Sequence, residues 1–174
     1  MIKNALLGLA CVATLASCDT DLLDIVRTIN GVPYTVDIPA TDQSGTIAET
    51  VAYDFDLQGE LDTYGISEGL VKKADVASVT VEIVDPSGEL TFDDITAATT
   101  FFVLGADRIT VATLPDDASG TTVSFEVADA DLLDYLLTTT QPVGGLEATT
   151  TEGVGEGVQA KVTVDIEVTA SPAS

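Results

Sequence analysis

The sequence predicts an all-β chain: an antiparallel β-sandwich of immunoglobulin-like or jelly-roll type with one or two short helical turns. Three observations point there. Apolar and polar residues alternate with period two along most of the chain beyond residue 32, clusters of Pro, Asp, Ser and Gly punctuate that alternation, and helical spacing is confined to short inserts. About seven to nine strands result, the count expected of a two-layer sandwich. A closed barrel is the alternative for the same pattern. No repeat and no linker divides the chain, so residues 32–170 are expected to form a single domain.

The elements follow in order. Tyr34, Val36 and Ile38 alternate with Thr35 and Asp37, and Val51, Tyr53, Phe55 and Leu57 with Ala52, Asp54, Asp56 and Gln58. Successive strand side chains point to opposite faces, so both stretches predict half-buried strands joined by the turn "PATDQSG". Residues 59–75 break the alternation with three glycines and predict a helical turn around residues 67–72. Val79, Val81 and Ile83 resume it until "DPSG", a strong turn signal. A turn at "FDDITAATT", a strand at residues 101–104, and strands at 107–113 and 121–127 separated by "LPDDASG" come next. Residues 129–137, "DADLLDYLL", carry a leucine stripe at helical spacing, with Asp129 or Asp131 placed to accept the first free amides. A strand is expected near residues 146–150. The longest strand closes the chain, with Val158, Ala160, Val162, Val164, Ile166 and Val168 on one face.

The first 31 residues have a different character. Lys3 is a positive n-region and residues 5–15 an apolar run, shorter than the about 20 residues that span a bilayer. Leu15, Ala16, Ser17 and Cys18 end it, and residues 18–31 read as an acidic tether or short helix. The four residues 15–18 resemble the lipobox of bacterial lipoproteins. That resemblance implies a signal peptide over residues 1–17, a diacylglycerol on the Cys18 thiol, cleavage before Cys18 and acylation of the new amino group. It implies a membrane partner reached through lipid, and a place in the cell envelope, at the outer membrane. Two or three acyl chains, each worth roughly 0.8 kcal/mol per buried CH₂, anchor stably where one does so only marginally. Asp19 fits the sorting rules of either Gram-negative membrane. In overall plan the chain also loosely resembles the many short uncharacterised lipoproteins of Gram-negative bacteria.

Charge narrows the partners. Removing residues 1–17 takes Lys3 from the six bases and leaves five against 29 acids, a net −24. Spread over roughly 7,500 Å² of folded surface, that field repels nucleic acid and anionic lipid and attracts cations or a basic protein partner. Hydrophobic residues nonetheless make up 45% of the chain and its mean hydropathy is +0.34, which excludes the acidic disordered class. The composition resembles that of secreted proteins from saline habitats.

Absent residues exclude most catalysis. There is no histidine, hence no Ser-His-Asp or Cys-His arrangement, and no thiol beyond Cys18 once Cys11 leaves with the signal. Lys72 and Lys73 sit in neither an SxxK nor a P-loop setting, and the glycines at 144–145 and 153–157 lack a following GK[ST]. Paired carboxylates could serve glycoside hydrolysis, but 29 acids form such pairs by chance, and no Trp is present to stack sugars. Tyr34, Tyr64 and Tyr135 are what remains for that purpose. The expectation is therefore a non-enzymatic, lipid-anchored binding or structural accessory domain that needs no cofactor. The alternative is a calcium- or glycan-binding surface module, with Asp93, Asp94, Asp116, Asp117, Asp129 and Asp131 as the oxygen donors Ca²⁺ would take. Their competing roles are helix capping and solvated turns. Were the strands carrying Asp54 and Asp56, and Asp165 and Glu167, neighbours, an acidic stripe would result.

Overall fold

The computed structural model describes residues 24–139 and 141–172, so the signal peptide, Cys18 and the first part of the tether lie outside the described residues. The elements are β1 (Ile25–Asp37), β2 (Gly45–Ala52), α1 (Leu57–Thr63), β3 (Val71–Val84), β4 (Ile95–Leu104), β5 (Asp107–Thr113), β6 (Thr122–Val127), α2 (Leu133–Thr138), β7 (Val143–Thr150) and β8 (Gln159–Ala170). Short 3-10 turns occupy Glu68–Leu70 and Phe92–Asp94. Among the described residues, no helix is long and apolar enough to cross a membrane.

The strands form one curled antiparallel sheet in the order β1-β8-β3-β6-β5-β4-β7-β2. Between β5 and β6 the ladder holds only Ala112 opposite Val127 and Thr113 opposite Glu126. That corner divides the molecule into two four-stranded layers. The first strand pairs with the last, the second with the seventh, the third with the sixth and the fourth with the fifth. Such nested pairing rolls a long hairpin into a jelly roll, the second of the two sandwich types the patterning predicted.

β8 is the axis of the first layer. Its inward residues Ala160, Val162, Val164, Ile166, Val168 and Ala170 are all fully buried, flanked by β1 and β3. Both neighbours carry irregularities beside its middle, in β1 between Ile29 and Val32 and in β3 between Val76 and Ser78. Asp165 spans them. One carboxylate oxygen accepts the Gly31 amide at 2.7 Å, and the other accepts the Ser78 hydroxyl at 2.7 Å. Gly31 stands at φ 69°, a left-handed conformation that glycine adopts without steric cost.

Several boundaries differ from the expected ones. The stretch read as an acidic tether or short helix is already strand from Ile25, where pairing with Ala170 begins. The strand expected through Leu57 ends at Ala52. Tyr53 donates its amide to the Pro142 carbonyl at 3.0 Å, and Asp56 turns the chain into α1 by accepting the Gly59 amide at 3.0 Å. Gly59 fits because a Cβ there would meet the capping carboxylate at 2.6 Å. Asp54 and Asp56 are therefore not strand residues, and β2 lies at the edge of the sheet opposite β1 and β8. The acidic stripe with Asp165 and Glu167 does not form. β3 begins at Val71 rather than near Val79, and the helix expected over residues 129–137 is the shorter α2.

The two glycines of "VGGL" in β7 have a packing reason. A Cβ on Gly144 would lie 2.8 Å from the Tyr34 ring inside the sandwich, and one on Gly145 would lie 2.4 Å from the Phe101 ring outside it. An aromatic side chain covers the bare backbone on each face.

Replacing Asp165 by Ala removes the partner of an exposed backbone amide and of a part-buried hydroxyl at two bulges, so unfolding free energy should fall by roughly 1–2 kcal/mol. Urea denaturation measures it; a loss under about 0.5 kcal/mol, the scale of an ordinary surface substitution, would show that the bulges hold without the carboxylate.

Candidate functional site

The connections sort onto two ends. The turns after β1, β3, β5 and β7 share one end with the start of β8, because Asp37 pairs with Gln159 and Gly45 with Thr150. The opposite end carries α1, α2, the start of β1 and the end of β8. The acids proposed as calcium donors divide between these ends.

At the first end, Asp93 and Asp94 belong to the 3-10 turn after β3. Asp94 closes a capping box: its carboxylate accepts the Thr91 amide at 2.9 Å and the Thr91 hydroxyl at 3.0 Å. Asp93 accepts the Gly120 amide at 3.1 Å, tying this turn to the one after β5. Asp116 and Asp117 are exposed in that latter turn. At the other end, Asp131 accepts the Leu133 amide at 2.9 Å, although the N-cap position of α2 itself is Leu132, and it lies in a bridge with Asp75. Exposed Asp129 stands near Lys73. The Lys73 ammonium is held above the usual lysine range, first by its hydrogen bond to Asp75 and that charge, then by Asp129 and Asp131. The cation in that cluster is the protein's own.

A polar hollow of about 60 Å³ that sequence reasoning passed over lies at the first end, lined by Asp85, Ser87, Glu89, Asp94, Glu152 and Gly153. Its strongest acid is already used. Asp85 collects the amides of Ser87, Glu89 and Leu90 at 2.8, 3.0 and 2.8 Å and the Ser87 hydroxyl at 2.7 Å. The Leu90 amide and then the Ser87 hydroxyl contribute most to lowering its pKa from 3.8 to about 2. This is the physical content of the "DPSG" turn. Among the described residues, no group of three His, Cys, Asp or Glu side chains could hold a metal ion.

The aromatics also leave the surface. Tyr34, Tyr53, Phe102 and Tyr135 form one stack inside the sandwich, with Tyr34–Tyr53 centroids 5.3 Å apart, Tyr53–Phe102 5.9 Å and Phe102–Tyr135 5.0 Å. Tyr34 and Tyr135, proposed for sugar stacking, are 4% and 1% exposed, whereas Tyr64 remains 43% exposed. The Tyr135 hydroxyl donates to the Val143 carbonyl at 3.2 Å and accepts its amide at 2.9 Å, fastening α2 to β7. Burial, and then the neighbouring tyrosines, hold the Tyr53 phenol far above the ordinary phenol range. Its hydroxyl is buried with no hydrogen-bond partner. Beside the stack, around Phe55, lie three open hollows of about 400, 360 and 280 Å³ whose walls mix Leu136, Leu137 and Pro142 with Asp54, Asp56, Glu60 and Glu68. None presents a nucleophile beside a base.

These features define an acidic jelly-roll domain in which Asp56, Asp85, Asp93, Asp94, Asp131 and Asp165 hold turns, a helix start and bulges. No family model matches the chain, and no curated protein matches it. Among solved structures, a chain of Desmodium yellow mottle tymovirus aligns with a TM-score of 0.31 at 11% identity, over 99% of this chain and 97% of that one. A likeness that loose carries no argument about fold or function.

Two outcomes test the site. Tyr53→Phe removes an unpaired buried hydroxyl and should raise unfolding free energy or leave it unchanged, while Tyr135→Phe strands both Val143 groups and should lower it by roughly 1–3 kcal/mol. Denaturation of both variants distinguishes the two hydroxyls, and equal losses would contradict the assignment. For Asp85 the folded pKa is depressed, so its stabilisation is full above about pH 4 and is lost as pH falls through about 2. The stability gap between the protein and its Asp85→Asn variant should therefore narrow from pH 5 to pH 2; a constant gap would mean that the carboxylate charge contributes nothing.

Proposed function

We propose that the protein is a lipid-anchored, non-catalytic lipoprotein whose jelly roll acts as a binding or structural accessory domain at the bacterial cell envelope. The observation that carries this reading is the run Leu15, Ala16, Ser17, Cys18 after a charged start and an apolar stretch. Chain geometry accords with it. Only residues 19–23 separate Cys18 from Asp24, a reach of at most about 22 Å fully extended. Asp24 is itself fastened to Lys72 by a salt bridge of 2.7 Å. A lipid on Cys18 holds the end with α1 and α2 near the bilayer and turns the acidic end with Asp85, Asp93 and Asp94 outward. Polar groups spent on turns support the non-catalytic part.

The decisive measurement is intact mass spectrometry of the protein from a Gram-negative host. The mature chain is expected to begin at Cys18 carrying two or three acyl chains, and Cys18→Ser should abolish acylation and membrane association together. An unmodified Cys18 thiol, or a chain retaining Met1, would overturn the anchor.

A further inference from the structure

We propose that Asn30 and Gly31 form a self-modification site, an asparagine that deamidates through its neighbour's backbone nitrogen, and that Asp165 restrains it. The sequence contains two asparagines, Asn4 and Asn30, and no Asp-Gly step. Only Asn30 is followed by glycine. A five-membered succinimide forms when the amide nitrogen of the next residue attacks the asparagine side-chain carbonyl, and glycine, without a Cβ, hinders that attack least.

The fold leaves this step in the open. Ile29 pairs with Ile166 and Val32 with Val164, so Asn30 and Gly31 together stand opposite Asp165 alone. The extra residue falls outside the regular ladder. Both residues are exposed, and both line the open hollow of about 280 Å³ beside Phe55, where water reaches them. Gly31 stands at φ 69°, a conformation that would strain any side chain, so the bulge itself demands the residue that makes Asn30 reactive.

One hydrogen bond opposes the reaction. The Gly31 amide donates to an Asp165 carboxylate oxygen at 2.7 Å, a charge-assisted bond. The other oxygen accepts the Ser78 hydroxyl at 2.7 Å, which fixes the carboxylate in place. Attack requires the Gly31 nitrogen to shed its proton and turn to the Asn30 side chain. Asp165 holds that N–H, and its negative charge disfavours the amide anion. Once the bond opens, the Gly31 nitrogen bonds to the side-chain carbonyl carbon, the bond from that carbon to the side-chain nitrogen breaks, and ammonia leaves with the proton shed by Gly31. Water then adds to either ring carbonyl and gives aspartate or, by attack on the backbone carbonyl, isoaspartate. Both products place a second carboxylate in the bulge beside Asp165, and isoaspartate also lengthens the backbone by a carbon. β1 is an edge strand held in the sheet by β8 alone. The modification therefore loosens β1 irreversibly.

Peptide mass spectrometry of the full chain, kept at mildly alkaline pH, reads the site as a gain of about 1 Da on the peptide containing Asn30. Asp165→Ala, with its circular dichroism still native, should deamidate there about tenfold faster than the unchanged protein, the rate equivalent of one charge-assisted hydrogen bond. Tyr135→Phe loses comparable stability at α2 and should leave the rate within about twofold, which separates the restraint from general loosening. The unchanged chain unfolded in urea should deamidate at least about tenfold faster than the folded one. No faster gain in Asp165→Ala, equal acceleration by Tyr135→Phe, or a folded chain as reactive as the unfolded one would each overturn the proposal. Neither the site nor its readout involves Cys18, so the result stands apart from the anchor.

Discussion

The structure depends on one carboxylate holding two strands to a third. β8 is the most buried strand of the fold, and each strand beside it is irregular at the level of Asp165. An irregularity of this kind bends a strand and increases its twist, and it leaves local donors unpaired. Here the Gly31 amide and the Ser78 hydroxyl both turn to Asp165. Without those bends the first layer would stay flatter, and a flat sheet does not roll over a second layer. Curvature therefore comes from an acid on the solvent side of the strand, while Val164 and Ile166 beside it fill the core.

Closure of the second layer relies on removing side chains rather than adding contacts. Gly144 and Gly145 let Tyr34 approach β7 from within and Phe101 from outside. Tyr34 then stacks on Tyr53, Phe102 packs against both, and Tyr135 completes the column, joining β1, the segment after β2, β4 and α2 through rings. Fastening every ring by its hydroxyl would over-determine the geometry. Tyr135 is fastened twice through Val143, and Tyr53 bears the cost of an unpaired oxygen.

The sequence was most readable where one face alone is buried. β8, β5 and β6 fall near their predicted ranges because an inward apolar series and an outward polar series leave no other register. Reading failed where the same alternation suits two structures. Val51 to Leu57 alternates without a break, yet Tyr53 turns its amide to Pro142, far along the chain, and Asp56 caps a helix that the alternation masks. The candidate site was less readable still. That Asp94 completes a capping box could be suspected from Thr91 three residues earlier, but Asp93 reaches Gly120 across the fold, and its engagement is invisible in one dimension. Asp93, Asp94 and Asp131 each hold a backbone amide, which their clustering along the sequence does not show.

Heavy acidity follows in part from how this chain holds its backbone. An acid that accepts a backbone amide, as Asp56, Asp85, Asp93, Asp94, Asp131 and Asp165 do, contributes to the fold and charges the surface at once. Among the described residues, Lys72, Lys73, Arg108 and Lys161 each meet an acid and cancel little of the total. Turns are where such acids are useful, and Asp165 adds one beside the irregularities of β1 and β3. The β2-β7-β4-β5 layer solves its backbone problems with glycine, alanine, threonine and one covered phenylalanine instead.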